Sequence, residues 1–119
     1  MMESLLIDKL EIRVKKEGSH IYMKWLGRSD SRNPASYLNP YFTTLIPEIK
    51  NYSLEVDFNK LKFMNSSTVI SIMLLMKLLN QDKIKTEISY DKNIHWQKTS
   101  FAALKKACEK LDYVKMKSD

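Results

Sequence analysis

The sequence has very few of the residues that build disulfide scaffolds, metal centres or phosphate-binding loops. Its one cysteine, Cys108, cannot form a disulfide within the chain, which argues against a secreted disulfide scaffold. The two histidines, His20 and His95, lack metal-ligand spacing with the cysteine or with a carboxylate. The two glycines, Gly18 and Gly27, form no phosphate-binding loop, and each fits a turn. We therefore expect no metal, no cofactor and no enzymatic activity.

Long hydrophobic runs are also absent. The longest, residues 69–76, is interrupted by Ser71 and closed by Lys77, well short of the roughly 20 residues that cross a bilayer. The N-terminal segment has only three consecutive apolar residues, 5–7, and does not resemble a signal peptide. We therefore expect a cytoplasmic protein without membrane attachment. A length of 119 residues with 44% hydrophobic content predicts a single domain, 1–119, with one core.

Positive charge exceeds negative charge, with a formal net charge of +6. Such a balance raises nucleic acid and acidic proteins as partners. The lysines, however, are spread along the whole chain, and several fall in alternating patterns typical of solvated faces. Arginine, the usual reader of bases, occurs only at Arg13, Arg28 and Arg32. We therefore do not favour nucleic-acid binding, which would rest on charge alone.

Alternation of apolar and polar residues predicts a sheet. The first two alternating segments flank a short turn that contains Gly18, which predicts an antiparallel N-terminal hairpin. Residues 27–39 have little periodicity and predict a loop. Strands are predicted at 10–15, 20–26, 54–58 and 84–90, with a candidate edge strand at 114–116.

Three helices are predicted between and after these strands. The first begins at Asn39, followed by a proline that fits a first turn, and Pro47 should shorten or kink it. The second spans about 66–80, after a cluster of capping residues. The third begins at Thr99 or Ser100 and buries one apolar stripe. The order β-β-α-β-α-β-α, with a candidate final β, predicts an α/β fold: a mixed sheet with helices packed on it.

The second helix has more apolar surface than one buried face needs. Ile70, Leu74 and Leu78 form a second stripe at i, i+4 and i+8, away from the main apolar face. A neighbouring helix could cover this stripe, or the stripe could form part of a partner-binding patch beside the helix start. The main face, expected to pack on the sheet, contains Val69, Ile72, Met73, Leu75, Met76 and Leu79.

Two segments resemble a known family. The sequence Leu-Glu-Val-Asp-Phe at 54–58, followed by Leu61 and by Phe-Met-Asn-Ser-Ser at 63–67, resembles the signature of STAS domains, the bacterial anti-sigma factor antagonists. In that family a strand ending in an acidic residue leads to Phe-Met/Ile-Asp-Ser-Ser/Thr-Gly at the start of an apolar helix. Residues 94–101, which include Trp96 and Gln97, resemble a STAS-like branch with a Trp-Gln element before the last helix. The match covers about residues 53–111.

The resemblance implies a site at the start of the second helix. In the family, a partner kinase phosphorylates the first serine after the Asp, which corresponds to Ser66, with Ser67 as the alternative. Asn65 takes the position of the Asp, and Thr68 takes that of the Gly. Together with the second apolar stripe, this implies a partner-binding surface made of Asn65, Ser66, Ser67, Thr68, Ile70 and Leu74.

The favoured function is therefore a non-catalytic signalling switch in transcription regulation. Its expected partners are a histidine-kinase-like anti-sigma factor or serine kinase and a serine phosphatase, and a homodimer stays open. A constitutive protein–protein interaction module, in which the serines only cap a helix, is the alternative. A basic nucleic-acid-binding domain is less favoured. Trp96 is expected to pack at the entry to the last helix rather than lie exposed.

Overall fold

A computed structural model describes residues 3–118, which form a seven-stranded sheet with three helices packed on it. The strands are β1 (Leu5–Ile7), β2 (Leu10–Glu17), β3 (His20–Ser29), β4 (Ser53–Asp57), β5 (Leu61–Met64), β6 (Thr86–Tyr90) and β7 (Val114–Ser118). The helices are α1 (Ala35–Glu48), α2 (Ser66–Gln81) and α3 (His95–Cys108). No helix within residues 3–118 is long and apolar enough to cross a membrane.

The sheet is mixed, with strand order β1-β2-β3-β4-β6-β7. The first three strands are antiparallel, and β3, β4, β6 and β7 are parallel neighbours. The long strand β3 has two parallel partners, because residues 20–24 pair with β4 and residues 27–29 pair with β5. Helical crossovers between the parallel strands pack against the sheet.

The alternating pattern of the strands determines which face the helices cover. Met23, Val56 and Ile88 are neighbours across the sheet and are fully or almost fully buried. Trp25, on the same face, packs its ring 6.2 Å from that of Phe42 in α1, measured between centroids. The opposite face lacks a helical cover and carries exposed or half-buried polar side chains, among them Tyr22, Lys24, Glu55, Asp57 and Glu87.

The predicted hairpin, β4, α2, β6 and the final edge strand are all present. Two strands were not predicted. β1 has only three residues, and β5 has only four, too few to show a clear alternation.

The expected start of the first helix at Asn39 is wrong. α1 begins at Ala35, and the carbonyl of Pro34 accepts the first helical hydrogen bond, from the amide of Leu38 at 2.8 Å. Leu38 is fully buried, so core packing favours helical geometry before Pro40. Pro40 therefore lies inside the helix, and Pro47 lies in its last turn, one residue before the helix ends at Glu48. The predicted loop at 27–39 shrinks to 30–34.

The expected start of the last helix at Thr99 or Ser100 is also wrong. α3 begins at His95, and the amide of Lys98 donates to the carbonyl of Ile94 at 2.9 Å. Trp96 and Gln97 therefore belong to the first helical turn. Gln97 is fully buried, whereas Trp96 is only half-buried. Trp96 packs against the core, as expected, and the fully buried residue of this turn is its polar neighbour Gln97.

Gly27 lies in β3 and not in a turn. Its φ is +84°, in the left-handed region that favours glycine. A Cβ atom there would lie 2.0 Å from the carbonyl oxygen of Lys9, in the turn between β1 and β2. The glycine therefore lets the turn between β1 and β2 approach β3 closely.

Candidate functional site

One end of the molecule gathers the starts of all three helices. β3, β5 and β6 run parallel, and each is followed by a short connection and a helix. Their carboxyl ends and the amino termini of α1, α2 and α3 therefore lie at the same end. We call this the helix-start end, formed by residues 28–34, 58–66 and 91–96.

Asn65 is the N-cap of α2 and uses both atoms of its side-chain amide. Its Oδ1 accepts hydrogen bonds from the amide of Thr68 at 2.9 Å and from the Thr68 hydroxyl at 2.7 Å. Its Nδ2 donates to the carbonyl of Ser31 at 2.7 Å. Its backbone amide donates to the carbonyl of Ser29 at 3.0 Å. An aspartate could accept the same bonds but could not donate to Ser31, which gives a physical reason for asparagine here.

Thr68 is a buried part of the same junction. Its side chain is fully buried, and its hydroxyl lies 2.7 Å from the hydroxyl of Ser29, which is also buried. The two hydroxyls tie the first turn of α2 to the end of β3. A glycine at position 68 would leave the Ser29 hydroxyl without this partner, so the departure from the family pattern is structurally accommodated.

The two serines between these residues are placed differently. Ser66 is exposed, and its hydroxyl makes no hydrogen bond within residues 3–118. Ser67 is half-buried. Of the four polar residues at 65–68, Ser66 therefore presents the most accessible hydroxyl, and it lies at the first position of a 16-residue helix.

The exposure of the second apolar stripe of α2 decreases along the helix. Ile70, one turn beyond Ser66, is 68% exposed. Leu74 and Leu78 are half-buried, and Leu78 packs against the core. The far end of the stripe is therefore covered and the end near Ser66 is open, and a partner-binding role for the open end stays a prediction. Exposed apolar surface is concentrated beside the serine.

A row of three side chains at the helix-start end was not anticipated. The guanidinium of Arg28 lies over the ring of Phe63, 4.9 Å from its centroid. The centroids of Phe63 and Trp96 are 6.4 Å apart, with the rings tilted by 52°. Both rings are half-buried, and Arg28 is exposed. The cross-strand pairing of Arg28 with Phe63 depends on β5, whose four residues the sequence pattern did not reveal.

Gln97 holds the connection that leads into β5. Its Nε2 donates to the carbonyls of Phe58 and Leu61, at 2.8 and 3.0 Å, and its Oε1 accepts from the amide of Asp91 at 2.9 Å. The Trp-Gln element pointed to this position, but not to the role of its second residue.

Two other residues weighed in the sequence analysis, His20 and Cys108, lie away from the helix-start end. His20 is at the opposite end of β3, where its Nδ1 lies 2.5 Å from the hydroxyl of Ser53. Cys108 is buried at the end of α3, and its thiol donates to the carbonyl of Val114 at 2.8 Å. Burial raises the pKa of this thiol. Among the described residues, no group of three or more His, Cys, Asp or Glu is placed to hold a metal ion.

No protein-family model matches the chain, and no curated protein matches it. Among solved structures, the chain is similar to the activator SiaC in the crystal structure of the diguanylate cyclase SiaD in complex with its activator SiaC from Pseudomonas aeruginosa. The TM-score is 0.66 at 15% sequence identity, and the match covers 98% of this chain and 99% of the matched chain. The similarity confirms the mixed α/β, STAS-like fold predicted from the sequence.

Proposed function

We propose that this chain is a non-catalytic signalling protein that binds a partner protein at the start of α2 and is released from it by phosphorylation of Ser66. The binding surface consists of the residues around the N-cap and the open end of the apolar stripe: Asn65, Ser66, Ser67, Thr68, Ile70 and Leu74. The phosphorylating and dephosphorylating partners are a histidine-kinase-like serine kinase and a serine phosphatase, and the protein acts in the cytoplasm.

The observation that carries this proposal is the contrast among residues 65–68. Asn65 and Thr68 hold the junction through side-chain hydrogen bonds, while the hydroxyl of Ser66 is exposed and makes none. Because Asn65 is already the N-cap, the helix does not need the Ser66 hydroxyl for capping. A kinase can therefore reach this hydroxyl without disturbing the fold.

A phosphate at this position has opposite effects on the fold and on binding. It adds about −1.5 to −2 charges, and the amino terminus of a helix favours negative charge. The fold therefore accommodates the modification. A partner that packs on Ile70, which is 68% exposed, would have to desolvate this charge, and desolvation without a matching cation is costly. Phosphorylation therefore weakens binding and leaves the structure intact.

The similar fold of SiaC adds support for a partner-binding regulator. SiaC is named as the activator of the diguanylate cyclase SiaD and is seen in complex with it. The same fold therefore accommodates a role in which one protein regulates another through direct binding. Whether transcription or another process is the output depends on the partner.

Three variants test the proposal: Ser66→Ala, Ser66→Asp and the matched control Ser67→Ala. Each is purified and assayed for thermal stability, for phosphate incorporation by the kinase encoded nearest to the gene, and for binding to that kinase. We expect Ser66→Ala to lose phosphate incorporation and keep binding, while Ser66→Asp stays folded and loses binding. Ser67→Ala should incorporate phosphate and bind the kinase like the wild type.

Two results would contradict the proposal in different ways. If Ser67→Ala loses phosphate incorporation and Ser66→Ala keeps it, the modified residue is Ser67 and not Ser66. If neither serine is modified and Ser66→Asp binds normally, the protein is a constitutive interaction module instead.

A further inference from the structure

The row formed by Arg28, Phe63 and Trp96 is arranged to receive a side chain from outside. The guanidinium of Arg28 lies over the ring of Phe63, and its Nε forms an ion pair with the carboxylate of Asp30 at 3.6 Å. Both charged side chains are more than 40% exposed. A guanidinium held by stacking keeps N–H donors available in its plane, and these fit a carboxylate in bidentate geometry. Arg28 is therefore oriented for an anion.

The surroundings of this row favour negative charge. None of the three helices that start at this end has an acidic residue in its first turn, where the helix dipole favours negative charge. The segments that form this end contain two acidic residues, Asp30 and Asp91, against five lysines and arginines. Arg32, in the connection before α1, and Lys62, in β5, are exposed. The exposed apolar residue Ile70 lies one turn into α2. Positive charge and apolar surface meet within the row itself, where the guanidinium of Arg28 lies over the ring of Phe63.

We propose that this row binds an acidic segment of the partner protein, with a carboxylate on Arg28 and an apolar side chain against Phe63 and Trp96. The inference rests on the proposed function, since the segment lies beside Ser66 and belongs to the same partner. It adds the chemistry of the partner and assigns three residues outside 65–74 to recognition. It also explains release, because a phosphate on Ser66 would repel an acidic segment.

The geometry of the rings favours a polypeptide over a nucleic acid. Single-stranded nucleic acid is bound by open aromatic faces on which successive bases stack, along a basic groove. Phe63 and Trp96 are half-buried, and their planes are tilted by 52° relative to each other, so the two rings do not form one flat platform. One stacked arginine beside such a pair suits a single acidic side chain followed by an apolar one.

The test uses a random-peptide phage library selected on the immobilised full-length protein. The wild type is compared with Arg28→Gln and with the matched control Arg13→Gln, since Arg13 is exposed on β2 and pairs with Glu11. Selected peptides are synthesised and titrated by fluorescence anisotropy at low and high salt. We expect selected peptides to contain Asp or Glu beside an apolar residue. Arg28→Gln should weaken their binding about tenfold, as expected for loss of a charged hydrogen-bonding partner, and Arg13→Gln should bind like the wild type.

Several outcomes would overturn the inference: no enrichment of peptides, enrichment without acidic residues, or equal effects of the two arginine variants. Tighter, Arg28-dependent binding of a poly-dT oligonucleotide would assign the row to nucleic acid instead. The Ser66→Asp variant separates this inference from the proposed function. If acidic peptides depend on Arg28 while Ser66→Asp still binds the kinase like the wild type, the switch fails and the inference about the row stands. If Ser66→Asp loses binding to the kinase while Arg28→Gln binds both the kinase and the selected peptides like the wild type, the inference about the row fails and the switch stands.

Discussion

Gln97 donates a hydrogen bond from its side-chain amide to the backbone carbonyl of Phe58 at 2.8 Å, although the two residues are 39 positions apart. The second hydrogen of the same amide goes to the carbonyl of Leu61 at 3.0 Å. The first turn of α3 therefore holds the connection between β4 and β5. Since β5 leads directly to Asn65, this contact positions the start of α2 and with it Ser66.

Replacing this amide with an apolar side chain of similar size should lower the stability of the protein while leaving little empty volume at the site. In Gln97→Met the carbonyls of Phe58 and Leu61 lose their shared donor inside the core. The Phe58 carbonyl keeps the amide of Leu61 as a donor, while the Leu61 carbonyl and the Asp91 amide lose their Gln97 partner. A buried group left without a partner costs about 1–3 kcal/mol, so we expect a loss of about this size in the free energy of unfolding, measured in urea. Gln81→Met, at the exposed end of α2, is the control and should change stability by less than about 0.5 kcal/mol. Equal effects would contradict the role given to Gln97.

Changing Asn65 to the aspartate of the family pattern should destabilise the protein. Asn65→Asp keeps an acceptor for the amide of Thr68 but loses the donor to Ser31, and it places a carboxylate against that carbonyl. We expect a net loss of about 1 kcal/mol, measured by thermal or urea unfolding. Asn51→Asp, in the exposed turn after α1, should be close to neutral. An aspartate at position 65 that matched or exceeded the stability of asparagine would show that the bond to Ser31 contributes little.

The sequence was sufficient for the order of the main elements because their patterns are local. The alternation in β2 and β3 and the polar cluster before α2 need no tertiary information. The start of α1 was missed because a core contact of Leu38 outweighs the usual effect of Pro40. β5 was missed because its position depends on pairing with the end of β3, which is a long-range contact.

The site was only partly predictable for the same reason. The place of Ser66 at the start of a helix followed from the capping cluster, but which of the three adjacent hydroxyls is exposed depended on tertiary bonds. Thr68 is turned into the core by Ser29, which lies 39 residues earlier in the chain. The contacts of Arg28 with Phe63 and of Gln97 with Phe58 join distant segments, so no local pattern reports them.

A charge on the buried face of α2 should unfold the protein. Met76 is fully buried, so Met76→Asp would place an unpaired carboxylate in the core, at a cost of several kcal/mol. We expect insoluble expression or loss of the cooperative unfolding transition in circular dichroism. The adjacent variant Lys77→Asp changes an exposed residue and should stay folded. Normal melting of Met76→Asp would contradict the placement of α2 on the sheet.

The single thiol should report on the attachment of β7 to α3. Burial raises the pKa of Cys108, so less reactive thiolate is present at neutral pH, and the thiol donates to the carbonyl of Val114. We expect slow reaction with Ellman's reagent in the folded state and fast reaction in urea, with the rate in the folded state rising as pH increases. The double variant Cys108→Ala with Ala103→Cys moves the thiol to an exposed position and should react fast. Equally fast reaction of both folded proteins would show that Cys108 is accessible.

Removal of the hydroxyl should destabilise the protein at Thr68 and leave its stability unchanged at Ser66. Thr68→Val keeps the shape of the side chain but leaves the buried hydroxyl of Ser29 without the partner at 2.7 Å, and removes one of the two hydrogen bonds to the Asn65 Oδ1. We expect it to lower the free energy of unfolding by about 1–3 kcal/mol. Ser66→Ala removes a hydroxyl that makes no hydrogen bond within residues 3–118, and alanine is the better helix former, so stability should stay within about 0.5 kcal/mol of the wild type.

Urea unfolding of the two variants, side by side, measures this contrast. A loss of about 1 kcal/mol in Ser66→Ala would show that Ser66 caps the helix. The serine would then have a structural role that does not require phosphorylation. A neutral Thr68→Val would mean that the junction between β3 and α2 does not depend on the paired hydroxyls. The combination of a destabilised Thr68→Val with an unchanged Ser66→Ala would leave Ser66 without a structural role, because α2 is then held by its neighbours alone. Under that result, any effect of Ser66 variants on partner binding comes from the surface that the serine occupies and not from a change in the fold.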